Sequence, residues 1–305
     1  LPFDSMKKYD KCPVCSSTIK QWRLKKVGED NYEIDKCPSC GYAFINPRPS
    51  MSFLMDFYSN NECRVDNATV KESKSLNSVL LREQDDPNTT VDARRMIDSI
   101  KKLHTSEHNN KFLDVGCGYG FFSKQALDSG FDVISLELGG NEREISEEMT
   151  GLRPQACSYE EFECSPNSLS VILMSQILEH VFDVNQWIEK AHTSLVHDGI
   201  LAIALPNYSS IFRKLLQEND PFICPPEHLN FFSPMSLTRL LENHGFVVEK
   251  IQWVSNIPKR TFEKRLTGFL KPLVPAVSIA SSASLKLVDA LHLGMMINVY
   301  GRKAN

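Results

Sequence analysis

Short apolar runs alternate with amphipathic stretches from Lys111 to the end of the chain. The runs predict strands near Phe112–Val115, Val133–Glu137, Leu169–Met174, Ile200–Leu205, Phe246–Val254 and Met296–Tyr300, with a further short one near Pro154–Cys157. Helical spacing between them predicts helices near Phe121–Ser129, Glu142–Met149, Val184–Val196 and Pro234–Asn243. Strands and helices in this alternation build a doubly wound α/β sheet, here of seven strands. Upstream, Val91, Met96, Ile97, Ile100 and Leu103 recur at near-helical spacing, so Thr89–Leu103 reads as a helix packed on the sheet. Ser50–Tyr58 reads as a short amphipathic helix. Residues 59–87 are polar with no strong period, which fits a connecting segment or flap.

The first forty residues follow a different logic. Cys12-Pro-Val-Cys15 and Cys37-Pro-Ser-Cys40 are two CxxC pairs, separated by residues 16–36. Each CxxC turn aims two thiolates at one centre, and two turns complete a tetrahedral four-sulfur site, the pattern of a zinc ribbon. The intervening residues read as two short strands turning at Gly28-Glu29-Asp30. With Cys12, Cys15, Cys37 and Cys40 all used as ligands, the zinc has no open position. It is therefore expected to fold the module and do no chemistry. The domain plan is a zinc ribbon over 1–50, a helical linker or flap over 51–87, and an α/β domain over 88–305 with a helical insertion at 256–293.

Composition narrows the setting. The chain is 42% hydrophobic and 24% charged, with a net charge of −4. Nucleic-acid binding rests on a basic excess, so DNA is not an expected partner. The N-terminus lacks the features of a signal peptide, and no stretch is apolar enough to span a membrane. Free thiols then fit a reducing compartment, and a cytoplasmic location is expected.

The turn after the first α/β strand carries the candidate chemistry. Gly116, Gly118 and Gly120 form GxGxG, whereas a dinucleotide fingerprint needs its third glycine at position 121, which is Phe121. Asp114 precedes the turn and could meet an ammonium group. Glu137 closes the next strand, where a carboxylate can take two ribose hydroxyls. The set fits a nucleoside cofactor without a pyrophosphate.

The stretch "FLDVGCGYGFFSKQALDSGFDVISLE" resembles motif I and the acidic second strand of class I S-adenosylmethionine-dependent methyltransferases. The resemblance continues through "SVILMSQILEHV" and "EHLNFFSPMSLTRLLENHGFVVEKI", and it is nearest to the ubiquinone-methyltransferase branch. "CPSCGYAFINPRPS" is similar to the ribbons of members associated with sugar and polysaccharide modification. The resemblance implies the Rossmann-like methyltransferase sheet and S-adenosylmethionine as cofactor. It implies contacts from Asp114, Gly116, Cys117, Gly118, Gly120, Glu137 and Leu138. Ser158 and Tyr159 fall where adenine is recognised, and Met174 and Ser175 beside the sulfonium.

Methyl transfer to a hydroxyl usually needs a base. Glu179 and His180 follow the fourth strand. His228 lies in the loop "PPEHLNFF" and is expected to converge on the acceptor with them. Some relatives with "ExxEH" bind a divalent metal there, but Gln176 replaces the first carboxylate, which argues against a catalytic metal. The expected acceptor is a small molecule or glycan. An RNA acceptor gripped by the ribbon has support only from Lys20, Arg23, Lys25 and Lys26 with Trp22. An inactive scaffold is opposed by the intact Asp114, GxGxG and Glu137. The insertion contains a basic amphipathic stretch at 259–271, a candidate lid, oligomer surface or contact with a membrane-linked substrate.

Overall fold

The computed structural model describes residues 7–59, 75–105, 109–257 and 274–304. The main sheet has six strands: β4 (Lys111–Val115), β5 (Asp132–Leu136), β6 (Leu169–Ser175), β7 (Leu195–Pro206), β9 (Phe246–Val254) and β10 (Met296–Lys303). Their order is β5-β4-β6-β7-β10-β9. The first four run parallel, and β10 lies antiparallel between β7 and β9. The seventh strand expected near Pro154–Cys157 is one parallel bridge, Leu136 to Gln155, on the outer edge of β5.

The central strands are buried on both faces, which is why they read as continuous apolar runs. Alternate residues split between two cores. Phe112, Val171, Leu173 and Tyr300 pack under α3 (Thr89–Leu103) through Met96, Ile97 and Ile100. Each such buried side chain contributes about 1.5–3 kcal/mol. Val91, counted in the apolar stripe from spacing, is exposed instead. Leu113, Ile172, Met174 and Ile203 face the other way, onto Ile188 of α6 (Val184–Ser194) and Leu237, Leu240 and Leu241 of α8 (Pro234–Asn243). α8 starts at Pro234 with a reciprocal cap between Ser233 and Ser236.

The cysteine module consists of β1 (Lys20–Val27), β2 (Asp30–Lys36) and β3 (Ala43–Ile45), and its sheet does not end at residue 50. β3 pairs with β8 (Asn230–Phe231), a two-residue strand inside the α/β domain. Cys12, Cys37, Cys40, Tyr42 and Phe44 belong to the same buried cluster as Phe232 and Leu237. Asn243 and Asn185 donate side-chain hydrogen bonds to the carbonyls of Val14 and Pro13 in the first CxxC turn.

Within the polar 59–87 segment, Leu76–Asp85 forms helix α2, capped by Ser75. It buries Val79 and Glu83 only, too few positions for a periodic signal. Glu83 accepts backbone N–H groups from Asn88 and Thr90 at 3.2 and 3.0 Å, placing a carboxylate at the start of α3. α9 (Val274–Ala290) fills the apolar half of the insertion; its basic half, 259–271, lies outside the described residues. No helix among the described residues is long and apolar enough to cross a membrane.

Candidate functional site

The glycine turn connects β4 to α4 (Phe121–Asp128), and each glycine has its own reason. All three have positive φ. A Cβ on Gly116 would come 2.4 Å from Ile177, and one on Gly120 would come 2.4 Å from Ser146 Oγ. At Gly118 a Cβ would meet nothing, so that side of the turn is open to a ligand. Cys117, between them, is buried and donates its N–H to the Leu136 carbonyl.

Two chambers flank the turn, of about 490 and 380 Å³, and both are lined by Gly116 and Gln176. The larger takes in Glu137, Leu138, Ser158 and Tyr159, together with His180. Glu137 is held by two backbone donors, Gly118 N–H and Gly139 N–H, each at 2.8 Å. Each carboxylate oxygen retains acceptor capacity for a hydroxyl. Leu138 is 66% exposed and supplies an apolar surface beside it. Ser158 is tied into its own turn by Glu161. Tyr159 packs on Trp187 with its hydroxyl buried.

The smaller chamber takes in Asp114, Gly118 and Ser175, with Arg82 of α2 and Asn88 on its far side. Asp114 is 1% exposed and accepts a 2.6 Å hydrogen bond from Ser123 Oγ. Burial pushes its carboxyl up to about 7, the Ser123 bond opposes this, and the Glu137 charge adds to it. A carboxyl raised this way stabilises the fold in acid, and the contribution is lost as pH rises from the ordinary carboxylate range through about 7. Relative to wild type, cofactor-free Asp114→Asn is therefore expected to be more stable at pH 8 than at pH 5. The expected difference is on the order of 2 kcal/mol. Parallel melting curves for the two proteins across that range would exclude Asp114 as the source.

Met174 is fully buried and lines neither chamber. The position facing both is Gln176, two residues on, with φ of 57°. Its backbone N–H and side-chain amide both donate to the Ala204 carbonyl, at 2.8 and 3.2 Å. Strained backbone of this kind clusters at functional sites. Only its place after an apolar strand could have marked it in the sequence.

Glu179, His180 and His228 do converge: their ligand-type atoms lie within 4.8 Å of one another. The imidazoles meet edge to face with centroids 4.7 Å apart. His180 Nδ1 bonds the Glu227 carbonyl at 2.9 Å, and His228 Nδ1 bonds the Phe222 carbonyl at 2.8 Å. Of the two histidines, only His180 lines the larger chamber; His228 is 4% exposed and sits behind it. Burial, then the neighbouring His180, pushes His228 down to about 3, so it stays neutral. Both Glu179 carboxyl oxygens are buried without a hydrogen-bond partner among the described residues. Burial is the main cause that pushes this carboxyl up to about 8. A buried orphan carboxyl calls for a proton or a cation. Two histidines with Nδ1 tied to carbonyls and one such carboxyl make a set that could hold a divalent ion.

Asn230 links this cluster to the cysteine module. Its amide nitrogen donates to the carbonyls of Leu178 and Val181 at 2.9 and 2.7 Å. Its Oδ1 accepts from Tyr42 and from the buried Arg48, both at 2.5 Å. In the module, Cys12 and Cys40 sulfurs lie 3.6 Å apart and Cys15 and Cys37 sulfurs 3.5 Å. A zinc tetrahedron with bonds of about 2.3 Å has sulfurs about 3.8 Å apart, so the four cysteines fit the ion.

The strand order, the glycine turn and the acidic end of β5 define the Rossmann-like fold of class I S-adenosylmethionine-dependent methyltransferases. The chain belongs to the methyltransferase domain family, whose profile matches residues 88–251. It is 26% identical over 156 residues to the mitochondrial ubiquinone biosynthesis O-methyltransferase of Bos taurus, covering 46% of this chain and 42% of that one. It is 30% identical over 105 residues to the ubiquinone biosynthesis O-methyltransferase of Pelagibacter ubique (strain HTCC1062), covering 32% and 43%. The match thus spans less than half the length of these relatives. The crystal structure of a SAM-dependent methyltransferase from Archaeoglobus fulgidus has the same fold, with a TM-score of 0.52 at 16% identity, over 74% of this chain and 99% of that one.

Proposed function

We propose that the chain transfers a methyl group from S-adenosylmethionine to a hydroxyl of a small-molecule or glycan acceptor. The observation that carries this reading is the pair of chambers joined at Gly116 and Gln176, with a carboxylate in each and His180 on the wall. S-adenosylmethionine, when bound, supplies an electrophilic methyl group on a sulfonium. Glu137 would accept the ribose hydroxyls, with Leu138, Ser158 and Tyr159 around the base. Asp114, Gly118 and Ser175 face the amino-acid end. Because His180 donates from Nδ1 to the Glu227 carbonyl, Nε2 is the ring nitrogen that would take the acceptor proton. His228 would hold that ring in place from behind.

We also infer that Cys12, Cys15, Cys37 and Cys40 hold one structural zinc, for which the sulfur spacing is the support. The RNA reading loses weight because Arg23 pairs with Glu218, and Lys25 donates to the Glu218 carbonyl.

Calorimetry tests the cofactor. Glu137→Ala is expected to weaken S-adenosylmethionine binding by roughly 1.5–3 kcal/mol, because charge-assisted hydrogen bonds to the ribose are lost. Tight binding of NAD with none of S-adenosylmethionine would overturn the assignment.

A second reading of the histidine cluster has one specific support, the orphaned Glu179 oxygens. Glu179, His180 and His228 would then hold a divalent ion that ligates the acceptor oxygen. Activity that falls on chelation and returns with one added metal would favour it; activity indifferent to chelator would leave His180 as the base.

A further inference from the structure

The turn at 178–181, which carries Glu179 and His180, is fastened along its length to the segment 227–231. The backbone N–H groups of Leu229 and Asn230 both donate to the Glu179 carbonyl, at 2.8 and 3.0 Å. Alone, they would leave the turn one point about which to pivot. The Asn230 side chain adds a carbonyl on either side, since its amide nitrogen donates to Leu178 and to Val181. The ring of His180 is tied to the same segment, because Nδ1 donates to the Glu227 carbonyl. A slide of the turn against the segment would therefore break the ring's bond and redirect its other nitrogen.

Asparagine suits this place because it carries a donor and an acceptor on one short planar group. Asn230 is 1% exposed, and its oxygen accepts from the Tyr42 hydroxyl and from the guanidinium of Arg48, itself 1% exposed. Arg48 also donates to the Leu229 carbonyl at 2.8 Å, so the cation is fixed on the segment it polarises. A positive charge on the oxygen side of an amide strengthens the donors on its nitrogen side. Leucine at 230 would offer neither bond, and aspartate would set an acceptor against both carbonyls. Both anchors come from the N-terminal module: Tyr42 follows the second CxxC turn, and Arg48 follows β3.

We infer that Asn230 is a positioning residue for His180. Held by Tyr42 and Arg48, it fixes the register of the 178–181 turn against the 227–231 segment and so sets the direction of His180 Nε2. The inference rests on the reading of His180 as the base in methyl transfer. A displacement of about 1 Å in a reacting group can cost about 10²-fold in rate, so a clamp of this kind matters to turnover. The cysteine module thereby takes part in the reaction without touching the acceptor.

The test reads the His180 ring directly, in the full zinc-loaded chain with isotope-labelled histidine. Long-range proton–nitrogen spectra at mildly alkaline pH show which ring nitrogen carries the proton, and His180→Gln and His228→Gln supply the assignments. Wild type is expected to hold the His180 proton on Nδ1 alone; a mixture of the two forms there would overturn the inference. Asn230→Asp keeps the side-chain volume and the acceptor for Tyr42 and Arg48, but sets an oxygen against the carbonyls of Leu178 and Val181. It is expected to lose the single form, with the His180 proton shared between Nδ1 and Nε2. His228 should keep its proton on Nδ1, since its partner is the Phe222 carbonyl. Tyr42→Phe removes one donor from the Asn230 oxygen. It should shift His180 less and in the same direction, and it carries the test if Asn230→Asp does not fold. An unchanged His180 ring in the folded variants overturns the inference. A change at both rings together also overturns it, because that marks a general loosening of the loop. The Kd of S-adenosylhomocysteine by calorimetry should stay at the wild-type value in both variants. A wild type that binds none would instead strike the methyl-transfer reading and leave the ring measurement standing.

Discussion

Replacing His180 with alanine is expected to lower kcat by about 10²–10⁴-fold, the usual cost of losing a general base, while the cofactor Kd stays near wild type. His180 lines the chamber that Glu137 closes, but its ring is fixed from outside the cofactor contacts. Glu227 holds Nδ1, and His228 packs edge to face against the ring. The loss should therefore fall on turnover and not on ground-state binding. Imidazole added to His180→Ala should restore part of the rate, since a small base can enter the space left. His228→Ala should cost less, because His228 packs edge to face against the His180 ring without lining the chamber. A His180→Ala enzyme with wild-type kcat would remove this residue from the chemistry.

Cys37→Ser is expected to abolish zinc retention and to lower the melting temperature of the whole chain by on the order of 10 °C. Read alone, a CxxC ribbon is a module that can unfold by itself. Here Cys12, Cys37 and Cys40 are buried in the same cluster as Leu237 of α8 and Phe232, Cys15 packs against it, and β3 is paired to β8. Losing a ligand would loosen Tyr42 and Arg48, then Asn230, then the backbone at Leu178 and Val181 that carries Glu179 and His180. Methyl transfer should fall with stability. Unchanged zinc stoichiometry in Cys37→Ser would show that the ligand set is wrong. Two separate melting transitions, with the second at the wild-type temperature, would show that the module is independent.

The sequence by itself determined the features that repeat at short range. Central strands such as Leu169–Ser175 had to be apolar throughout, and α8 announced its start at Ser233-Pro234. The two CxxC turns and the glycine turn were equally legible, because each is a local backbone geometry that needs fixed residue types at fixed spacing. The fold class, the cysteine cluster and the candidates Asp114, Gly116, Gly118, Gly120 and Glu137 followed from such local patterns, whereas Cys117, Leu138, Ser158, Tyr159, Met174 and Ser175 came from the family resemblance alone.

Tertiary structure decided what depends on distant segments meeting. Gln176 looked like a lost ligand, and only the fold brings His228 to Glu179 and His180. Of the two histidines, only packing decides that His180 faces the chamber and His228 sits behind it. β8 is two residues long and has no period to detect; it exists because β3 offers it an edge. A cavity of about 700 Å³ between the β1–β2 hairpin, the helix Met51–Ser59 and the loop at 219–227 has no sequence signature, since no spacing rule connects the three segments that wall it. Local spacing fixes conformations within a few residues, whereas burial and contact between segments are settled only when the whole chain packs.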